Sequence, residues 1–131
     1  MTDIQQRIEK IWGTDNRLHQ LIGPFVMNPD IIRINRGYPF KNTEDHLWYI
    51  ALKNKNMVMG FLAVCNGRIC NDFTWQDCEV LEFLLKKVLD DMEKEMLVSF
   101  IAEDYEVGLL EELGFQQERR TKRYVKMVKV T

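Results

Sequence analysis

The chain has 131 residues, 46% hydrophobic and 29% charged, the length and balance of one soluble domain with a buried core. Its formal charge of −2 gives no global attraction to nucleic acid or to an anionic membrane. No apolar run is long enough to span a bilayer, and the start lacks the basic-then-apolar pattern of a secretory signal, so a cytoplasmic protein is expected. Cys65, Cys70 and Cys78 are odd in number and lack CxxC spacing. With only two histidines they read as reduced, mostly buried thiols, and no metal site is expected.

Ile4, Ile8 and Ile11 fall on one stripe and predict a helix over residues 3–11, interrupted at Gly13. Asp15 is placed to cap a second helix with Leu18, Leu21 and Ile22 inward, stopped by Gly23-Pro24. Residues 24–45 are broken by Pro29, Gly37 and Pro39, with Ile31, Ile32 and Ile34 in a short strand or buried turn. This loop-rich stretch is where function often sits.

From Leu47 the pattern sharpens. Residues 47–53 are a strand by their aromatic and aliphatic content, and Asn54-Lys55-Asn56 is a turn. Residues 57–64 return as a strand, and Asn66-Gly67 is a strong hairpin signal leading to a third strand over residues 68–73. Val80, Leu81, Leu84, Leu85, Val88, Leu89 and Met92 share one face of a helix predicted over residues 76–94. Residues 96–102 form a near-continuous apolar strand, of the kind buried on both sides. A short helix over residues 109–113 ends at Gly114, which supplies the left-handed cap, and Phe115 packs back onto it. A charged link over residues 118–123 leads to a terminal strand, where Tyr124, Lys126 and Val128 alternate with Val125 and Met127. Met57, Met59, Met92, Met96 and Met127 read as core filling, and Trp48, Tyr49 and Trp75 as core or rim aromatics.

A three-strand meander feeding helix, strand, helix and strand is an α+β arrangement. Gly60-Phe61, Leu113-Gly114-Phe115 and Tyr124-x-x-Met127, in that order, resemble the GNAT superfamily of N-acetyltransferases over residues 47–129. The resemblance implies a mixed, mostly antiparallel central sheet flanked by helices, with residues 1–131 as one GNAT-like domain. Residues 1–45 would be its divergent part and 46–131 its core. The family's first strand is not recognisable, which implies an N-terminal third rebuilt for a partner or a homodimer contact.

The resemblance also implies a co-substrate, acetyl-coenzyme A, and an amine acceptor. In the family, a glycine-rich loop after the fourth strand and the following helix start hold the pyrophosphate through backbone amides. Here that loop falls on Phe73, Thr74, Trp75, Gln76, Asp77 and Cys78, with Gln76 at the family's Gln/Arg position. Its two glycine positions are Glu79 and Leu81, and no glycine lies between Gly67 and Gly108. The family's acid tyrosine corresponds to Leu110 and its frequent asparagine to Asp104, leaving Tyr105 as the substitute acid. Glu44 and Asp45 are the candidate bases toward the amine, beside His46. A backbone amide near residues 64–66 or 68–70 is the expected donor to the thioester oxygen. The basic residues of 118–123 suit an anionic group such as the ribose phosphate.

Each of these has a plainer reading: a solvated turn for Glu44 and Asp45, a polar helix start for Gln76, a packed aromatic for Tyr105, a solvated link for 118–123. The function implied is acetyl-coenzyme A-dependent N-acetylation of an amine. The alternative is a GNAT-like module that binds or assembles without catalysis.

Overall fold

The computed structural model describes residues 6–34 and 40–131. In chain order its elements are β1 (Gln6–Trp12), α1 (Arg17–Val26), α2 (Pro29–Ile34), β2 (Leu47–Lys53), β3 (Met57–Cys65) and β4 (Arg68–Phe73). They continue with α3 (Cys78–Asp91), β5 (Leu97–Ala102), α4 (Asp104–Glu112), β6 (Gln116–Arg120) and β7 (Val125–Val130). The strands form one seven-stranded sheet in the order β1-β2-β3-β4-β5-β7-β6. Every neighbouring pair is antiparallel except β4 and β5, which run parallel.

The turns follow from residues that tolerate left-handed backbone. Asn54 (φ 57°) reverses the chain between β2 and β3, and Asn66 with Gly67 (φ 52° and 78°) between β3 and β4. Gly114 ends α4 at φ 97°, and Phe115 is 2% exposed against that helix. One face of the sheet carries α3 and α4 over Tyr49, Leu62, Val98, Phe100, Val125 and Met127. The other carries α1 and α2 over Trp48, Ile50, Phe61, Ala63 and Phe73. No helix among the described residues is long and apolar enough to cross a membrane.

The N-terminal third departs from expectation. Residues 6–12 are a strand, not a helix, and pair with β2 over their whole length; residues 3–5 of the expected helix lie outside the described residues. Ile8 and Ile11 are three apart, a spacing that suits one stripe of a helix but opposite faces of a strand. Each face here has its own core: Ile8 packs on the α3 side and Ile11 is buried on the α1 side. A strand thus precedes α1 at the edge of the sheet, where none was recognisable in the sequence. Residues 29–34 are a short helix, while the breaks expected at Gly37 and Pro39 lie outside the described residues. α1 runs through Pro24 into its last turn instead of stopping there.

Three corrections concern the C-terminal half. β5 is not buried on both sides, since Leu97 and Ile101 are 58% and 39% exposed. The charged link is in part a strand, because β6 pairs with β7 from Gln116 to Arg120. Met57 and Met96 face solvent and do not fill the core. Of the thiols, Cys65 and Cys70 are partly buried and Cys78 is exposed.

Candidate functional site

The sheet opens between β4 and β5. These strands pair only at Arg68–Ser99 and Ile69–Phe100, after which they part. Residues 68 and 69 are also paired to β3, so their backbone is engaged on both sides and the opening starts at Cys70. The register with β3 slips between Phe61 and Ala63, and Asn71 stands in the slip at φ 55°. This bulge turns the end of β4 away from β5. Asn71 fixes it by accepting from the Lys41 amide (3.1 Å) and donating to the Lys41 carbonyl (2.6 Å). Of the positions expected to offer an amide donor, residues 68 and 69 are engaged in the ladder on both sides, while Cys70 lies where the opening begins.

Beyond the bulge, Thr74 to Asp77 close a tight turn. The Asp77 amide donates to the Thr74 carbonyl at 2.9 Å, with Trp75 at φ 51° and Gln76 at φ 61°. Two consecutive non-glycine residues in the left-handed region are costly, by about 1–3 kcal/mol each, and persist only where packing holds them. Trp75 is held by Phe73 (ring centroids 4.3 Å) and by the edge of Phe25 from α1 (5.4 Å). Gly60 lets the end of β4 come this close. A Cβ there would lie 2.9 Å from both the Phe73 carbonyl and a Val80 methyl. That explains the Gly60-Phe61 pair read from the sequence.

The start of α3 is already occupied by a negative charge. Asp77 accepts from the Glu79 amide (3.0 Å) and the Val80 amide (3.3 Å), so its own carboxylate takes the first-turn donors. Cys78 is the first residue of the helix, and Glu79 adds a second carboxylate at that end.

Across the opening, α4 begins with a capping box in which the Glu103 amide donates to the buried Glu106 carboxylate at 2.9 Å. This fixes the turn carrying Tyr105, which is 46% exposed. The Tyr105 hydroxyl is held well above its usual pKa, first by burial and then by the charges of Glu106, Glu103, Asp72 and Cys78. Tyr105 follows the C-terminal end of β5, which in the parallel pair lies beside the end of β4 that carries the bulge. Asp104 instead turns to Arg120 of β6, with the guanidinium donating at 2.5 Å. Leu110, at the family's tyrosine position, is fully buried in the core.

Glu44 and Asp45 are not brought to this opening. Both are exposed in the loop before β2, whose first residue pairs with Val64, at the end of the sheet away from Phe73 and Ala102. Asp45 there borders a groove of about 390 Å³ with Trp12, Tyr49 and Asp91. At the back of that groove Tyr49 donates to Asp91 (3.1 Å), which Lys10 also pairs at 3.1 Å. Burial opposes ionisation of Asp91, but the Lys10 and Tyr49 hydrogen bonds outweigh it and keep the pKa below the usual carboxylate value. His46 accepts from the Thr43 amide at 3.1 Å, so it is a neutral anchor for this loop.

The structure therefore places residues 73–78 in the turn after β4 and the start of α3, with Phe73 and Trp75 packed on the α1 side, and Tyr105 and Asp104 in the first turn of α4. Asp72, Asn71 and Phe25 join them without having been singled out in sequence. The one signal for the bulge was an asparagine late in a strand, since asparagine accepts positive φ at low cost.

No family model and no curated protein matches the sequence. Solved structures do match. Escherichia coli ElaA superposes with a TM-score of 0.72 at 10% identity, covering 95% of this chain and 99% of that one. An acyl-CoA N-acyltransferase from Pseudomonas aeruginosa gives 0.69 at 11% identity, covering 98% and 100%. BjaI, a CoA-dependent acyl-homoserine lactone synthase solved with SAM and isopentyl-CoA, gives 0.64 at 15%, covering 95% and 82%. These likenesses cover 95% to 98% of the chain, and on them it has the GNAT, or acyl-CoA N-acyltransferase, fold in a divergent form.

Proposed function

We propose that this protein transfers an acyl group, acetyl in the simplest case, from coenzyme A to an amine of a small molecule or protein. The observation that carries the reading is the cleft where β4 and β5 part, with a bulge on one wall and Tyr105 on the other. The amine nitrogen attacks the thioester carbonyl carbon and the carbon–sulfur bond breaks. A backbone amide freed at the bulge donates to the oxygen as it gains charge, which is usually the largest catalytic contribution. Tyr105, its pKa raised, keeps its proton at neutral pH and donates a hydrogen bond to the departing sulfur. Full proton transfer to sulfur is uphill, because a thiol ionises near about 8.5. Asp72, at the bulge, takes the proton of the attacking amine directly or through water. Glu44 and Asp45 have no part in this scheme, standing at the opposite end of the sheet.

The test is release of free coenzyme A thiol from acetyl-coenzyme A in the presence of a panel of amines, repeated with Tyr105→Phe. No release above the uncatalysed rate with any amine would sink the proposal. A second reading, a fold that binds or assembles without catalysis, is favoured by Asp77 filling the helix-start amides and by Leu110 at the tyrosine position. Absence of coenzyme A binding together with a stable fold is its expected result.

A further inference from the structure

The start of α3 is a poor seat for phosphate. Two of its amides are bonded to Asp77, and Glu79 follows at once, so a diphosphate there would displace one carboxylate and face another. Asp72, Glu103 and Asp104 add negative charge around the same opening. A different element at this end of the sheet is cationic. The β6–β7 hairpin carries Arg119, Arg120, Lys122 and Arg123 within five residues, all exposed. Arg120 pairs with Asp104, while Arg119, Lys122 and Arg123 have no carboxylate partner among the described residues. The hairpin turn is ordered by Thr121, whose amide donates to the Tyr124 carbonyl at 2.8 Å and whose hydroxyl accepts from the Tyr124 amide at 3.1 Å.

The hairpin is within reach of the cleft. β6 stands two strand spacings, about 10 Å, from β5. The Arg120–Asp104 pair ties the hairpin to the first turn of α4, the turn that also carries Tyr105. Other cations at this end lie elsewhere: Arg7, Lys53 and Lys55 stand at the β1–β2 edge, where Arg7 donates to the Asn54 carbonyl at 2.8 Å. Lys41 is a single charge deeper along β4.

Resting on the acyltransferase reading, we propose that the phosphates of coenzyme A dock on the β6–β7 hairpin through Arg119, Lys122 and Arg123, and not on the start of α3. Guanidinium and ammonium groups supply the charge that the capped helix no longer offers. The pantetheine arm then enters the cleft from the α4 side, passing Tyr105.

The experiment measures coenzyme A affinity by calorimetry in the wild type, in Lys122→Glu/Arg123→Glu and in Asp77→Asn, which keeps a good helix cap. Transfer from S-acetylpantetheine, which has no phosphate, is measured alongside. The expected result is at least a tenfold loss of coenzyme A affinity in the hairpin variant and less than a threefold change in Asp77→Asn. Use of S-acetylpantetheine should be equal in the wild type and the hairpin variant. Less than a threefold loss in the hairpin variant, or a tenfold gain in Asp77→Asn, places the phosphates at α3 and overturns the inference while the acyltransferase reading stands. If neither acetyl-coenzyme A nor S-acetylpantetheine is used by the wild type, the acyltransferase reading fails and takes this inference with it.

Discussion

The two halves of the sheet that meet at the cleft bury their residues differently. From β1 to β4 both faces are covered, by α3 on one side and α1 with α2 on the other. Between them lies a chain of rings in which Phe61 contacts Phe25, Phe40, Trp48 and Phe73, with centroids 5.7 to 6.4 Å apart. From β5 to β6 the described residues cover one face only, and Leu97, Ile101 and Val130 look outward from the other. β4 is the last strand of the doubly covered half, and β5 the first of the singly covered one. The bulge at Asn71 detaches β4 where the covering layers change, and the Asn71 side chain holds it there through its two hydrogen bonds to Lys41.

This contrast can be broken or sharpened by measurement. Phe61→Ala, at 0% exposure in the doubly covered half, is expected to cost about 3–5 kcal/mol, read as a lowered denaturant midpoint at unchanged slope. A loss under about 1 kcal/mol would mean that the ring cluster collapses to fill the gap. At the cleft itself, Tyr105→Phe is expected to lower kcat by roughly 100-fold, the scale of losing one hydrogen-bond donor to developing charge, while melting as the wild type does. An unchanged kcat would remove Tyr105 from the reaction.

The helix start on the α3 side gives a smaller effect. Asp77→Ala strips the cap from the Glu79 and Val80 amides and is expected to cost about 1 kcal/mol of stability by urea unfolding. Stability equal to the wild type would show that the turn is held by Trp75 packing alone.

His46 supplies a pH test at the opposite end. Its pKa is lowered, first by burial and then by Arg68, against the opposing charge of Asp45. The unfolded chain therefore takes up this proton first, at about pH 6.5. The stability due to neutral His46 is fully present above that pH and is lost as pH falls through the lower native value. Melting temperature should decline on acidification below pH about 6.5, and less steeply in His46→Asn. Equal slopes would exclude His46 as the cause. On the bare face, Leu97→Ser and Ile101→Ser are expected to stay within about 0.5 kcal/mol of the wild type. A larger loss would mean that something covers this face after all.

Much of the fold was legible because it is written in local chemistry. The β2–β3–β4 meander announces itself through Asn54 and Asn66-Gly67, whose backbone preferences set the turns whatever surrounds them. The α3 stripe and the Gly114-Phe115 stop are likewise properties of short windows, and they stand where the periodicity places them, to within two or three residues for α3. The candidate cofactor turn was locatable by its place after β4. Its chemistry was not, since nothing in the string Trp75-Gln76-Asp77 says that the aspartate will turn back and bind the amides.

The turns, the amphipathic helix and the strands β2 to β5 and β7 are readable in the sequence alone, because they depend on backbone preferences and on periodicity within a few residues. Long-range packing sets the remainder. Ile8 and Ile11 make a strand because two separate cores wait on its two sides. β5 exposes one face because no described helix reaches it, and residues 116–120 become an edge strand because β7 offers an unpaired ladder. Glu44 and Asp45 stand at the end of the sheet away from Tyr105 because of where β2 begins in its ladder. Apart from the β6–β7 hairpin, these outcomes depend on partners far away in the chain, about which a residue's own neighbours carry no information.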